Sequence, residues 1–123
     1  MKKLVIDTNV IFQLLRNPID FIGYEVIIPD FVVKEFLYKA KEEKIKNPEI
    51  FLKKLQNLGF KIVETNYKFE KNVDDLLLKF CKENNSLLLT IDKKLKRRAI
   101  KEGVKIKELI KGKEIREDFN DFY

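Results

Sequence analysis

A chain of 123 residues with 45% hydrophobic and 37% charged residues is long enough to bury a core without covalent staples, and reads as one domain. Its single cysteine, Cys81, excludes an internal disulfide and a cysteine-cluster zinc site. The absence of histidine excludes imidazole acid–base catalysis, Ser-His-Asp and Cys-His pairs, and the usual His-containing zinc sites.

The elements follow in order. Leu4-Val5-Ile6 is a first strand, Asp7-Thr8-Asn9 a polar corner, and a helix runs from about Thr8 to Arg16 before Asn17-Pro18 breaks it. Glu25 to Ile28 is a second strand stopped by Pro29. Asp30 to about Lys44 has apolar residues at helical spacing, with Asp30 as its expected N-cap. Asn47-Pro48 opens a third helix that ends near Gly59, and Phe60 to Val63 is a short strand. Glu70 to Asn84 is the clearest amphipathic helix. The apolar run Ser86 to Ile91 suits a strand covered on both faces. Lys93 to Glu102 is a basic helix, Val104 to Ile106 a last strand, and residues 111–123 a charged tail ending in Phe119, Phe122 and Tyr123. Alternating strands and helices predict an α/β/α sandwich around a parallel sheet of four to five strands.

The net charge of +6 is concentrated in one place. Between Thr90 and Lys113, ten Lys and Arg face only Asp92, Glu102 and Glu108, so this stretch carries the whole excess. It reads either as a solvated helix face or as a surface for nucleic acid. No apolar run approaches the roughly 20 residues of a membrane span, and Met1-Lys2-Lys3 does not open a signal peptide, so a cytoplasmic chain with no membrane partner is expected.

With histidine and cysteine chemistry excluded, catalysis would fall to carboxylates, whose natural partners are hard ions such as Mg²⁺ or Mn²⁺. The isolated glycines Gly23, Gly59, Gly103 and Gly112 form no phosphate-cradling loop. Asp7 and Asp92 both stand where a strand turns into a helix. In parallel α/β sheets ligands bind at such corners, while Asp is also a common N-cap, so both roles stay open. On a helical wheel Asp74 falls on the apolar side, between Leu78 and Cys81, whereas Asp75 falls opposite. A carboxylate facing the core needs a cation, a donor or an open cleft beside it. Glu35 lies off the main stripe of its helix, which alone reads as an exposed glutamate.

Together, Asp7-Thr8-Asn9 after the first strand, Pro29 with Val32 and Glu35, Asp74 before an apolar helix, and Thr90-Ile91-Asp92 after a later strand resemble the PIN-domain ribonucleases over nearly the whole chain. The resemblance implies a parallel sheet between helices and acids converging at the carboxyl ends of the strands. It also implies Mg²⁺ or Mn²⁺ held there to cut single-stranded RNA. It matches Asp7, Glu35, Asp74 and Asp92 to the acidic quartet, with Thr90, Asn9 and Thr8 supporting them. Lys93, Lys94, Lys96, Arg97 and Arg98 would receive RNA phosphates. The stretch from Thr90 to Ile106 looks closer to the small-subunit ribosomal RNA processing branch than to VapC-type toxins. A toxin held by an antitoxin and a catalytically silent RNA-binding module are the alternative readings, and a second copy of the chain or a ribosome-assembly factor are further candidate partners.

Overall fold

A computed structural model describes residues 1–68 and 72–116. The elements are β1 (Lys2–Ile6), α1 (Thr8–Arg16), β2 (Tyr24–Pro29), α2 (Asp30–Glu42), α3 (Pro48–Asn57), β3 (Lys61–Val63), α4 (Val73–Glu83), β4 (Leu87–Leu89), α5 (Lys93–Lys101), β5 (Ile106–Ile110) and β6 (Glu114–Arg116). The sheet order is β3-β2-β1-β4-β5-β6, parallel throughout except for the β5–β6 pair.

The chain first builds outward from β1 through β2 to β3, and α4 then carries it back to place β4 on the other side of β1. This reversal makes the β1/β4 boundary a topological switch point, the place where open α/β sheets form a crevice. Leu4, Val5, Ile6, Leu88 and Leu89 are all fully buried, although neighbours along a strand point to opposite faces. Both faces of the central strands are therefore covered by helices. Phe31 and Phe36 from α2, Leu77 and Leu78 from α4 and Leu95 from α5 complete the core, each side chain stabilising by roughly 1.5–3 kcal/mol on full burial.

Some boundaries depart from the sequence reading. Asp30 is not a cap. Pro29 occupies the N-cap position, and Asp30 sits inside the first turn of α2. Its carboxylate accepts from the Phe31 amide at 2.8 Å, from the Thr65 amide at 2.9 Å and from the Thr65 hydroxyl at 2.7 Å, tying α2 to the segment after β3. The α4 helix begins at Val73 with Asn72 as its cap, whose side chain accepts from the Asp75 amide. The expected start at Glu70 lies outside the described residues, as does the aromatic end of the tail.

The largest departure is at the far edge. The expected last strand, Val104 to Ile106, is displaced to Ile106–Ile110, and β6 adds a sixth, antiparallel strand in a stretch read as tail. Lys111 and Gly112 both have positive φ, 53° and 70°, and the Lys113 amide donates to the Ile110 carbonyl at 3.1 Å. The paired positive φ values are those of a type I′ turn, within a connection of three residues, 111–113, between Ile110 and its partner Glu114; Asn-Gly or Asp-Gly usually signals such a turn and Lys-Gly does not. The hairpin reaches the α1–β2 connection, where the Asp20 amide donates to the Lys113 carbonyl at 3.3 Å.

Candidate active site

Two strand ends meet at the switch point. The Asp7 amide donates to the Leu89 carbonyl at 3.3 Å, so the β1 corner is fastened to the end of β4. Asp7 then caps α1, one oxygen accepting from the Val10 amide at 3.1 Å, while its other oxygen accepts from the hydroxyl of Thr90. Thr90 is fully buried, and its oxygen accepts from the Asp92 amide at 3.1 Å. Asp92 caps α5 by accepting from the Lys94 and Leu95 amides at 2.8 and 3.2 Å. Capping and site placement are thus not alternatives for Asp7 and Asp92. The cap bonds hold each carboxylate still at the crevice.

Glu35 corrects the wheel argument that left it exposed. Its side chain is only 27% exposed, accepts from the Thr8 hydroxyl across the α1–α2 contact, and has Lys39 one turn away at 4.0 Å. The two acids of α4 separate as the wheel suggested. Asp75 points to α5, where it pairs with Arg98 at 2.5 Å. Asp74 instead joins Asp7, Glu35 and Asp92 in the lining of one cleft of about 310 Å³.

The electrostatics follow from that crowding. Burial pushes the Asp7 carboxyl up to about 6; the Thr90 and Val10 hydrogen bonds pull it down, and the nearby charges of Asp74 and Asp92 push it up again. Asp74 is raised chiefly by burial, then by Asp92 and Glu35, with Arg98 acting in the opposite sense. Like charges held together in this way are eased by a cation. The donors facing the cleft are carboxylate oxygens, the chemistry that hard divalent ions prefer. Among the described residues no three acidic side chains come together as a ready-made cage. A hard divalent ion there would keep part of its water shell and reach some of these oxygens through water.

The remaining expected residues divide. Asn9 is exposed at the cleft, and the side-chain hydrogen bonds to the site carboxylates come from Thr8 and Thr90 instead. Of the five basic residues expected to meet RNA, Lys96 is tied to Glu108 at 3.2 Å, and Arg98 is held between Asp75 and Glu102. Lys93, Lys94 and Arg97 are exposed and form no ion pair among the described residues. The sequence reading missed Lys39 and Asn72, which also line the cleft. Their signals were present: Lys39 lies four residues after Glu35 on one helix, and Asn72 stands just before an apolar periodic run.

No protein-family model matches the chain, and no curated protein matches it. Solved structures do. The PIN domain endonuclease Utp24 superposes with a TM-score of 0.68 at 24% identity, over 93% of this chain and 90% of the other. The fold is that of a PIN domain. A PilT N-terminus domain protein from the hyperthermophilic archaeon Sulfolobus solfataricus P2 shares it, with a TM-score of 0.57 at 19% identity over 86% of each chain. A domain of a functionally unknown protein from Methanocaldococcus jannaschii is similar, with a TM-score of 0.62 at 23% identity over 89% of this chain and 92% of the other. In this PIN fold the acidic cleft lies at the carboxyl ends of β1 and β4.

Proposed function

We infer that this PIN-fold chain is a metal-dependent endoribonuclease that hydrolyses single-stranded RNA, acting in RNA processing. The observation that supports it most is the convergence of Asp7, Glu35, Asp74 and Asp92, from four separate elements, on one cleft at the switch point. Burying carboxylates together is unfavourable unless something compensates their charge. A divalent ion bound there would acidify an attacking water and offset charge on the phosphate.

Asp74 and Asp92, with Asp7 and Glu35, would hold that ion. Thr90 donates to Asp7 and accepts from the Asp92 amide, which fixes the angle between two of the carboxylates. Thr8 donates to Glu35 and holds that one carboxylate against α1. Lys39 brings a positive charge to the cleft, suited to a phosphate oxygen. Lys93, Lys94 and Arg97 extend from the Asp92 corner and would take phosphates of the same strand. The processing role, as against the toxin role, rests on the resemblance of the α5 region noted above.

The test is direct. Purified protein should cut single-stranded RNA with Mg²⁺ or Mn²⁺ and lose that activity in excess EDTA. Cleavage that continues undiminished in EDTA, with contaminating nuclease excluded, would overturn the reading. The α5 surface makes a separate prediction. Replacing Lys93, Lys94 and Arg97 together by Ala should reduce the slope of log affinity against log salt by about 2, at roughly 0.7 per phosphate contact on single strands. Lys96→Ala should leave the slope nearly unchanged, because its ammonium is already held by Glu108. An unaltered slope in the triple variant would make the exposed face of α5 a solvated surface only.

A further inference from the structure

The parallel strands β1, β4 and β5 all begin at the sheet edge opposite the acidic cleft. There Lys2, Lys3, Lys105 and Lys107, with Asn84 and Asn85, line a hollow of about 610 Å³, twice the volume of the cleft. Among the described residues no acidic side chain lines it. Elsewhere Lys61, Lys82 and Lys96 each hold a carboxylate within 3.2 Å. Lys2 and Lys105 are exposed and make no ion pair among the described residues. Lys3 faces Glu25 across the β1–β2 register, but that carboxylate is itself paired with Lys61 at 2.9 Å. A concave surface carrying ammonium groups of one sign focuses its field outward, toward an anion.

The hollow is connected to the cleft by α5. That helix starts at Asp92 beside the acids and runs to Lys101, and the turn at Gly103 then delivers Lys105 to the hollow. Lys93, Lys94, Arg97 and Lys101 are exposed along the way. Lys3, on β1, and Asp7, just past its end, are four residues apart, about 13 Å at the rise of a strand. A ligand that engages both ends must therefore carry anionic groups in series.

Resting on the nuclease reading, we propose that this lysine-lined hollow is a second phosphate-binding site for the RNA, seating the strand several nucleotides from the cleft after it has passed along α5. Lysine suits this task as a mobile point charge that takes phosphate without selecting a base. Joining two weak sites through one strand raises the effective concentration at the second, so the hollow favours long RNA over short.

The experiment measures binding in EDTA, where no strand is cut, to unstructured oligoribonucleotides of roughly 4 and roughly 16 nucleotides, a range single-stranded sites commonly span. Wild type should bind the longer strand more tightly. Lys2→Gln combined with Lys105→Gln should lose most of that advantage and lower the salt slope on the longer strand by about 1.4, for two contacts. Lys53→Gln combined with Lys54→Gln removes the same charge from α3 and should keep the advantage. The proposal is overturned if the Lys2/Lys105 variant retains both the length advantage and the slope, or if the α3 control loses as much. It is also overturned if inorganic phosphate gives a Lys2/Lys105-dependent melting shift while RNA length has no effect, since the hollow would then be a free-phosphate site. Cleavage with Mg²⁺ is scored separately. Length-dependent binding through these lysines without cleavage would overturn the nuclease reading alone, and cleavage with lysine-independent binding would overturn the hollow alone.

Discussion

Asp74→Asn is expected to reduce RNA cleavage by at least about 10²-fold, while Asp75→Asn stays near the wild-type rate. Changing outer partners of metal ligands already costs 10–100-fold, so loss of a carboxylate proposed to hold the ion should cost at least the upper end of that range. Asp75 has another task, pairing with Arg98 on the surface between α4 and α5. Exposed pairs of this kind contribute about 1 kcal/mol or less, so its amide should fold and cut. The amide keeps each side chain's shape and removes only its charge. Without metal, Asp74→Asn should melt higher than wild type, because it removes a charge that burial disfavours and that Asp92 and Glu35 repel. With saturating Mn²⁺ it should gain less than wild type, since ligand binding to the native state is what raises the melting point. Cleavage rates and melting temperatures of the two variants, with and without Mn²⁺, check all of this. A dead Asp75→Asn with an active Asp74→Asn would reverse the assignment.

The second large effect belongs to Asp7 and to pH. Its carboxyl is 5% exposed and ionises near 6 in the folded chain, against an ordinary value of 3.8. A raised folded value means that the native state binds the proton more tightly than the unfolded state does. The stability linked to this group is therefore present in full below about pH 3.8 and is lost as pH rises through about 6. A shift of this size corresponds to about 3 kcal/mol. In EDTA, Asp7→Asn should then be more stable than wild type at pH 7.5, and the gap should shrink as pH falls toward 4. Asn can still accept from the Val10 amide, so the α1 cap survives. The same variant should lose cleavage, placing function and stability in opposition at one residue. Thermal melts across that pH range measure the gap. A gap independent of pH, or an Asn variant less stable at neutral pH, would show that burial does not penalise the Asp7 charge as described.

Much of this was readable from local pattern. Apolar spacing located α1 to α5, the run Leu87-Leu88-Leu89 declared a strand covered on both faces, and the strand-to-helix corners singled out Asp7 and Asp92. The wheel separated Asp74 from Asp75 because the side on which a helical residue lies depends only on the 100° step between neighbours. These are properties of residues close together in the chain, and short-range sterics and periodicity enforce them in any fold.

Other features depend on residues that meet only after folding. Glu35 belongs to the cleft because α1 packs on α2 and brings Thr8 to it across 27 positions. Lys96 and Arg98 are engaged because β5 and α4 present Glu108 and Asp75 to them, which no charge count along α5 could reveal. Asp30 gave up capping for Thr65, 35 residues away, where two hydrogen bonds across the fold join one local bond from the Phe31 amide. The β5–β6 hairpin escaped notice because its turn is Lys-Gly and its strands, Ile-Lys-Glu-Leu-Ile and Glu-Ile-Arg, mix charged and apolar residues without a clear period. Hydrogen bonds and ion pairs between distant segments have no period in the sequence, and so the contacts that hold the site residues became visible only when the sheet brought its corners together.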